Sequence, residues 1–149
     1  MRFIPSAVFL SALLACSPAG DTAPGISVDG AYIIDPAAGR DVAAGGMVIR
    51  ATGMSSRLLS ADSPSAERIE LHTHVETDGV MQMRQVEAID LPDGEDVALK
   101  RGGHHLMLFG FDADLTPGDT IEMTLTFEMD EGEETQRLSV PVVDLSDIN

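Results

Sequence analysis

The chain has 149 residues, of which 25 are acidic and 9 basic, for a formal charge of −16. A field of that sign repels phosphates and anionic headgroups, so nucleic-acid binding is excluded. Hydrophobic residues make up 44% against 23% charged, with no Trp, one Tyr and five Phe, which is enough apolar material for one core but no aromatic platform for bases or sugars.

Met1 to Ala15 reads MRFIPSAVFLSALLA, an early cation followed by an apolar stretch too short to span a bilayer as a helix, which is the layout of an export signal. Removing it with Arg2 would leave 25 acidic residues against 8 basic ones and a mature part of one-domain size. Leu13-Leu14-Ala15-Cys16 resembles a bacterial lipobox, so lipidation is expected at Cys16, against the plainer alternative of an ordinary cleaved signal and an incidental cysteine. Either way the expected location is the periplasm or cell envelope. The only cysteine is Cys16, so the domain can hold neither an intrachain disulfide nor a thiolate metal site, and any soft ligand in it must be methionine. Residues 16–30, rich in Pro, Gly, Ala and Asp, are expected to form a flexible tether, and 31–149 a single domain.

In chain order, strands are expected at Ile26 to Ile34, Met47 to Thr52, Glu67 to His74, Val80 to Val86, Asp96 to Leu99 and His105 to Phe109. The clearest is Thr120 to Met129, TIEMTLTFEM, where Ile121, Met123, Leu125, Phe127 and Met129 alternate with polar residues at the period of a half-buried strand. Asp130 to Glu134 should turn into a partner at Arg137 to Val143, where Pro141 favours a sheet edge. Pro117-Gly118, Asp93-Gly94 and Gly102-Gly103 punctuate the rest, and no helical stripe exceeds two turns. Short strands at this spacing predict an all-β antiparallel sandwich or Greek-key barrel.

All four histidines and three methionines fall in LHTH (71–74), VMQMR (80–84) and GGHHLML (102–108). Residues two apart on a strand share a face, so His105 pairs with Met107 and Met81 with Met83, while His104 faces away from His105. An imidazole and a thioether from one strand, joined by a second such pair, would make a neutral pocket suited to Cu(I), because thioether sulfur is a soft ligand and imidazole also suits copper.

The stretch LHTHVETDGVMQMRQVEAIDLPDGEDVALKRGGHHLMLFGFDADLTPGDTIEMTLTFE resembles the PCuAC-type periplasmic copper chaperones. In that family a His, ten residues, a Met, about 21 residues and His-x-Met recur, and His72, Met83, His105 and Met107 stand at this spacing. The resemblance implies a cupredoxin-like β-fold and one exposed Cu(I) site on those four residues. It also implies no enzymatic activity, and delivery of copper towards cytochrome c oxidase through a Sco-type protein or an oxidase subunit. His74 departs from many relatives and is a possible accessory ligand, and VVDLSDIN at the C-terminus lacks the His- and Met-rich tail some relatives carry. Met81 is expected to pack beneath the site, Met123 and Met129 in the core, and His104 as an exposed neighbour. The chain is expected to be monomeric and membrane-attached through its lipid, its acidic surface steering cations or docking a basic partner. Competing readings are a copper-sequestering lipoprotein without a dedicated acceptor, a zinc enzyme built on His72, His74, His104 and His105, and a metal-free interaction module.

Overall fold

A computed structural model describes residues 25–148. The expected leader, Cys16 and the tether as far as residue 24 lie outside the described residues. Ten strands follow: β1 (Gly25–Ile34), β2 (Val42–Thr52), β3 (Ser56–Asp62), β4 (Arg68–Thr77), β5 (Val80–Gln85), β6 (Ile89–Leu91), β7 (Asp96–Leu99), β8 (His105–Phe109), β9 (Thr120–Met129) and β10 (Gly132–Val143). They run in the open order β5-β4-β8-β2-β1-β10-β9-β3-β6, with β7 also on β2. The two layers are β5-β4-β8-β2-β1 and β10-β9-β3-β6, joined by a short parallel contact of Ile33 and Ile34 with Val142 and Val143. The expected all-β, cupredoxin-like sandwich is present, and the strand order does not close into a barrel.

The alternating residues of β9 enter the core as their period requires: Ile121, Met123, Leu125 and Phe127 are buried, and Met129 is partly buried against them. From the opposite layer come Leu71, Leu106 and Leu108. The polar residues between these face outward, and the candidate site lies on that outer face. Gly46 sits where β2 passes from β8 (paired through Gly45) to β7 (paired from Met47). A Cβ there would fall 2.5 Å from the Leu99 carbonyl oxygen and from the Tyr32 hydroxyl, so only glycine permits the handover.

Several expectations are corrected. β1 begins at Gly25, because Gly25 to Asp29 pair with Thr52 to Val48, so the tether cannot reach residue 30. Pro141 does not mark a free edge, since β10 lies between β9 and β1. The proline instead pairs with Thr120, and the pairing continues past it, with the Val142 N–H donating to the Asp119 carbonyl at 2.8 Å and the Gly118 N–H to the Val142 carbonyl at 2.9 Å. β3 and β6 were not expected, and β2 and β10 each start five residues before the expected position.

Candidate metal centre

The β4–β5 hairpin turns through Asp78 and Gly79, both with positive φ (54° and 78°), the conformation of a two-residue type I′ turn. That turn sets Thr77 opposite Val80 and therefore His74 opposite Met83. On the other side of β4, His72 lies opposite His105 and Glu70 opposite Met107. Directly opposed residues share a face, so three cross-strand rows, Glu70–Met107, His72–His105 and His74–Met83, stack on one outer surface.

His105 anchors the cluster and is buried although it faces outward, because the loop 100–104 folds against it. Its Nδ1 lies 2.9 Å from the Gly103 carbonyl oxygen, an acceptor only, so Nδ1 carries the proton and Nε2 an unshared lone pair. That Nε2 stands 3.0 Å from the Met83 sulfur. Burial lowers the His105 pKa from 6.5, helped by the neighbouring imidazoles His74, His72 and His104 and opposed by the Gly103 bond. The ring is therefore neutral at neutral pH, and two electron-rich atoms face each other with no hydrogen between them. A tetrahedral soft ion bound to both would set nitrogen and sulfur about 3.5 Å apart, using the bond lengths of comparable zinc sites. Half an ångström of movement by the half-exposed Met83 is all that this requires.

His72 approaches His105 with ring centroids 5.9 Å apart, against about 5 Å for two imidazoles on one tetrahedral ion. Its Nε2 lies 2.8 Å from a Glu70 carboxylate oxygen, and its Nδ1 is buried without a hydrogen-bond partner among the described residues. Glu70 is held below the usual carboxylate range first by the His72 hydrogen bond and then by Arg68. Met107, Met83, His105, His74 and Arg101 line a shallow open pocket. The four residues named by the spacing are thus brought to one patch, three of them on the pocket and His72 beside it.

His74 is closer to the opening than the spacing implied. It lines the pocket, its ring is 5.3 Å from that of His105, and its Nδ1 reaches the Gly103 carbonyl only at 3.5 Å. His104 is half-buried, not exposed, since Nδ1 is enclosed in the loop without a partner among the described residues. Met81 does not pack beneath the site. It is 56% exposed opposite Glu76 near the hairpin tip, where no second layer covers β5. Among the described residues no three of His, Cys, Asp and Glu are grouped to hold a metal ion. The zinc site expected from His72, His74, His104 and His105 is thus not preformed among the described residues. Glu70 went unnoticed in the sequence, although its place two residues before His72 puts both on one face.

A family model described as putative lipoprotein LpqE-like matches residues 26–142. The chain belongs to the LpqE-like family. Among solved structures, this LpqE-like chain is similar to CuI-DR1885 from Deinococcus radiodurans, at 26% identity and a TM-score of 0.69 over 85% of this chain and 84% of that one. It is similar also to the copper-bound PCuAC domain from PmoF2, at 25% identity and TM-score 0.65 over 82% of this chain and 96% of that one. The apo PCuAC domain from PmoF1, at 21% identity and TM-score 0.64 over 80% and 93%, shares the fold. The resemblance to the PCuAC-type proteins read from the sequence therefore holds for the LpqE-like chain. No curated protein matches it.

Proposed function

We propose that the chain is an extracytoplasmic copper carrier that holds one Cu(I) on His72, Met83, His105 and Met107. It is anchored through lipidated Cys16 and passes the ion towards cytochrome c oxidase assembly. The observation that carries this reading is the His105 Nε2 lone pair facing the Met83 sulfur at 3.0 Å, an arrangement that is repulsive until a soft cation lies between the two. Two solved relatives named for bound copper support it: the copper-bound PmoF2 domain and CuI-DR1885.

Two imidazoles and two thioethers carry no charge, which suits a monovalent soft ion, and none of them binds it as a thiolate would. Release is then ligand exchange: thiolates of an acceptor, such as a Sco-type protein or an oxidase subunit, displace the thioethers one at a time. The half-exposed Met83 (48%) is the sulfur an incoming ligand meets first. No covalent chemistry of the chain is involved, and the carrier acts as a monomer.

Anaerobic Cu(I) titration with X-ray absorption tests the site. One ion per chain with two sulfur and two nitrogen neighbours is expected, and His105→Ala and Met107→Ala should abolish tight binding. Wild-type binding by both variants would overturn the assignment. Deleting the gene tests the role: an oxidase defect rescued by added copper is expected, whereas loss of copper tolerance with normal oxidase would show a sequestering protein.

A further inference from the structure

Beside the four proposed ligands stands a chain of contacts that neither the family spacing nor the copper reading uses. Arg68 Nε donates to one oxygen of Glu70 at 2.9 Å, and the other oxygen of Glu70 lies 2.8 Å from His72 Nε2. The Arg68 guanidinium sits 4.1 Å over the Phe109 ring, a cation–π contact, and Phe109 is in turn 6.5 Å from the His72 ring. Glu70 and His72 are largely enclosed, with side chains 19% and 13% exposed, while Arg68 is in the open. An ionised carboxylate only accepts, so Nε2 of His72 must carry the proton. In the neutral ring Nδ1, buried and without a partner among the described residues, is then the nitrogen that has the lone pair.

We infer that Glu70 is a positioning residue for copper: tied in place by Arg68 over Phe109, it fixes the tautomer and ring orientation of His72 so that Nδ1 is the atom presented as donor. The inference rests on the copper reading for its purpose and on the apo geometry for its content. Carboxylate–imidazole pairs behind metal ligands work in this way, holding the ring and strengthening the donor. His105 meets the same need through the Gly103 carbonyl, which fixes the opposite tautomer. The two imidazoles would therefore bind through different nitrogens, His72 by Nδ1 and His105 by Nε2.

Long-range proton–nitrogen spectra of the labelled apo protein read the tautomer directly, with no copper present. The wild type should show His72 protonated at Nε2 and His105 at Nδ1. Glu70→Ala should leave His72 a mixture of tautomers and weaken Cu(I) binding by about 10- to 100-fold. In a His72→Ala background Glu70→Ala should add no further loss, since it acts through that ring. If Glu70→Ala loses the native amide spectrum, Glu70→Leu fills the same volume without accepting a hydrogen bond and replaces it.

An unchanged His72 tautomer or an unchanged affinity in the Ala variant would overturn the inference. So would a loss that persists without His72, or an oxygen neighbour in the X-ray absorption of the copper form, which would make Glu70 a ligand. Failure of the wild type to bind Cu(I) would instead sink the copper reading, and the apo tautomer would still report whether Glu70 holds His72.

Discussion

Met83→Leu separates ligation from packing more cleanly than any other single change. Met83 is 48% exposed on β5, an edge strand whose residues are all exposed. Leu is close to Met in volume, and such swaps cost under about 1.5 kcal/mol even in a full core. At a half-exposed position the change should stay within about 0.5 kcal/mol, which thermal unfolding of the apo protein will show as a Tm within a few degrees of wild type. Copper affinity should respond on another scale. Altering a group behind a ligand already costs about 10- to 100-fold, so deleting one of four donors should cost at least about 100-fold in competition with a chromophoric Cu(I) chelator. Met81→Leu is the control, since Met81 is 56% exposed on the same strand and the same face but two residues nearer the hairpin tip, and affinity should not change. Equal losses from both variants would show a general effect of methionine on the hairpin. No loss from Met83→Leu would remove the sulfur facing His105 from the ligand set.

Gly79→Val puts a branched side chain at φ 78°, which should cost about 1–2 kcal/mol; nothing lies within 4 Å of the added Cβ, so the loss seen in urea unfolding reports backbone strain and not a clash at Cβ. Leu106→Ala empties a fully buried position on the strand that carries His105 and should lower stability by about 2–5 kcal/mol, with weaker copper binding as a consequence. Acid should weaken the apo fold. The His105 pKa is lower in the folded chain than its ordinary 6.5, so below that pH the unfolded chain binds the extra proton first. The stabilisation is complete above about 6.5 and is lost as pH falls through the folded value. Urea midpoints at pH 7.5 and 5.0 in wild type and His105→Gln will show it as a smaller acid loss in the variant.

How much of this was legible depends on what each segment had to say locally. β9 was readable because five apolar residues alternate without interruption over Ile121 to Met129. β3 was not: a register shift between Leu58 and Ser60 breaks its period, leaving Leu58 and Leu59 adjacent. β6 has three residues, too few for any period. After Val42 the first half of β2, Ala-Ala-Gly-Gly, lacks the branched side chains that mark strands; it is small because β1, β7 and β8 crowd it, and crowding is a tertiary fact. Among the site residues, the face of each side chain followed from counting by two, which placed His105 with Met107 and Met83 with Met81. What covers that face did not follow. Met81 and Met83 share it, yet only Met83 meets His105, because β8 begins at His105, opposite His72, and does not run alongside the hairpin as far as Met81. Asp78-Gly79 was the readable turn that fixes this register, and it went unused.

Charge is arranged at two scales. The chain as a whole carries −16, a field that draws cations to its surface but is screened within about 8–10 Å at physiological salt. At the proposed ligands themselves there is no formal charge, and the nearest carboxylate, Glu70, is committed to Arg68 and His72. On the copper reading, attraction to the surface and retention at the site are therefore separate: salt should slow the capture of a free cation and leave the soft coordination almost untouched. Transfer reverses the problem, because an incoming thiolate is itself an anion approaching a strongly negative protein. Arg101 lines the pocket beside Met83, His105 and Met107 and makes no ion pair among the described residues. On the copper reading it offers a local positive charge where an acceptor thiolate would arrive. Arg101→Gln, which removes the charge without adding a carboxylate to the pocket, should therefore slow transfer to a thiolate acceptor far more than it changes Cu(I) affinity, and equal transfer rates in stopped-flow mixing would show that the repulsion is met elsewhere.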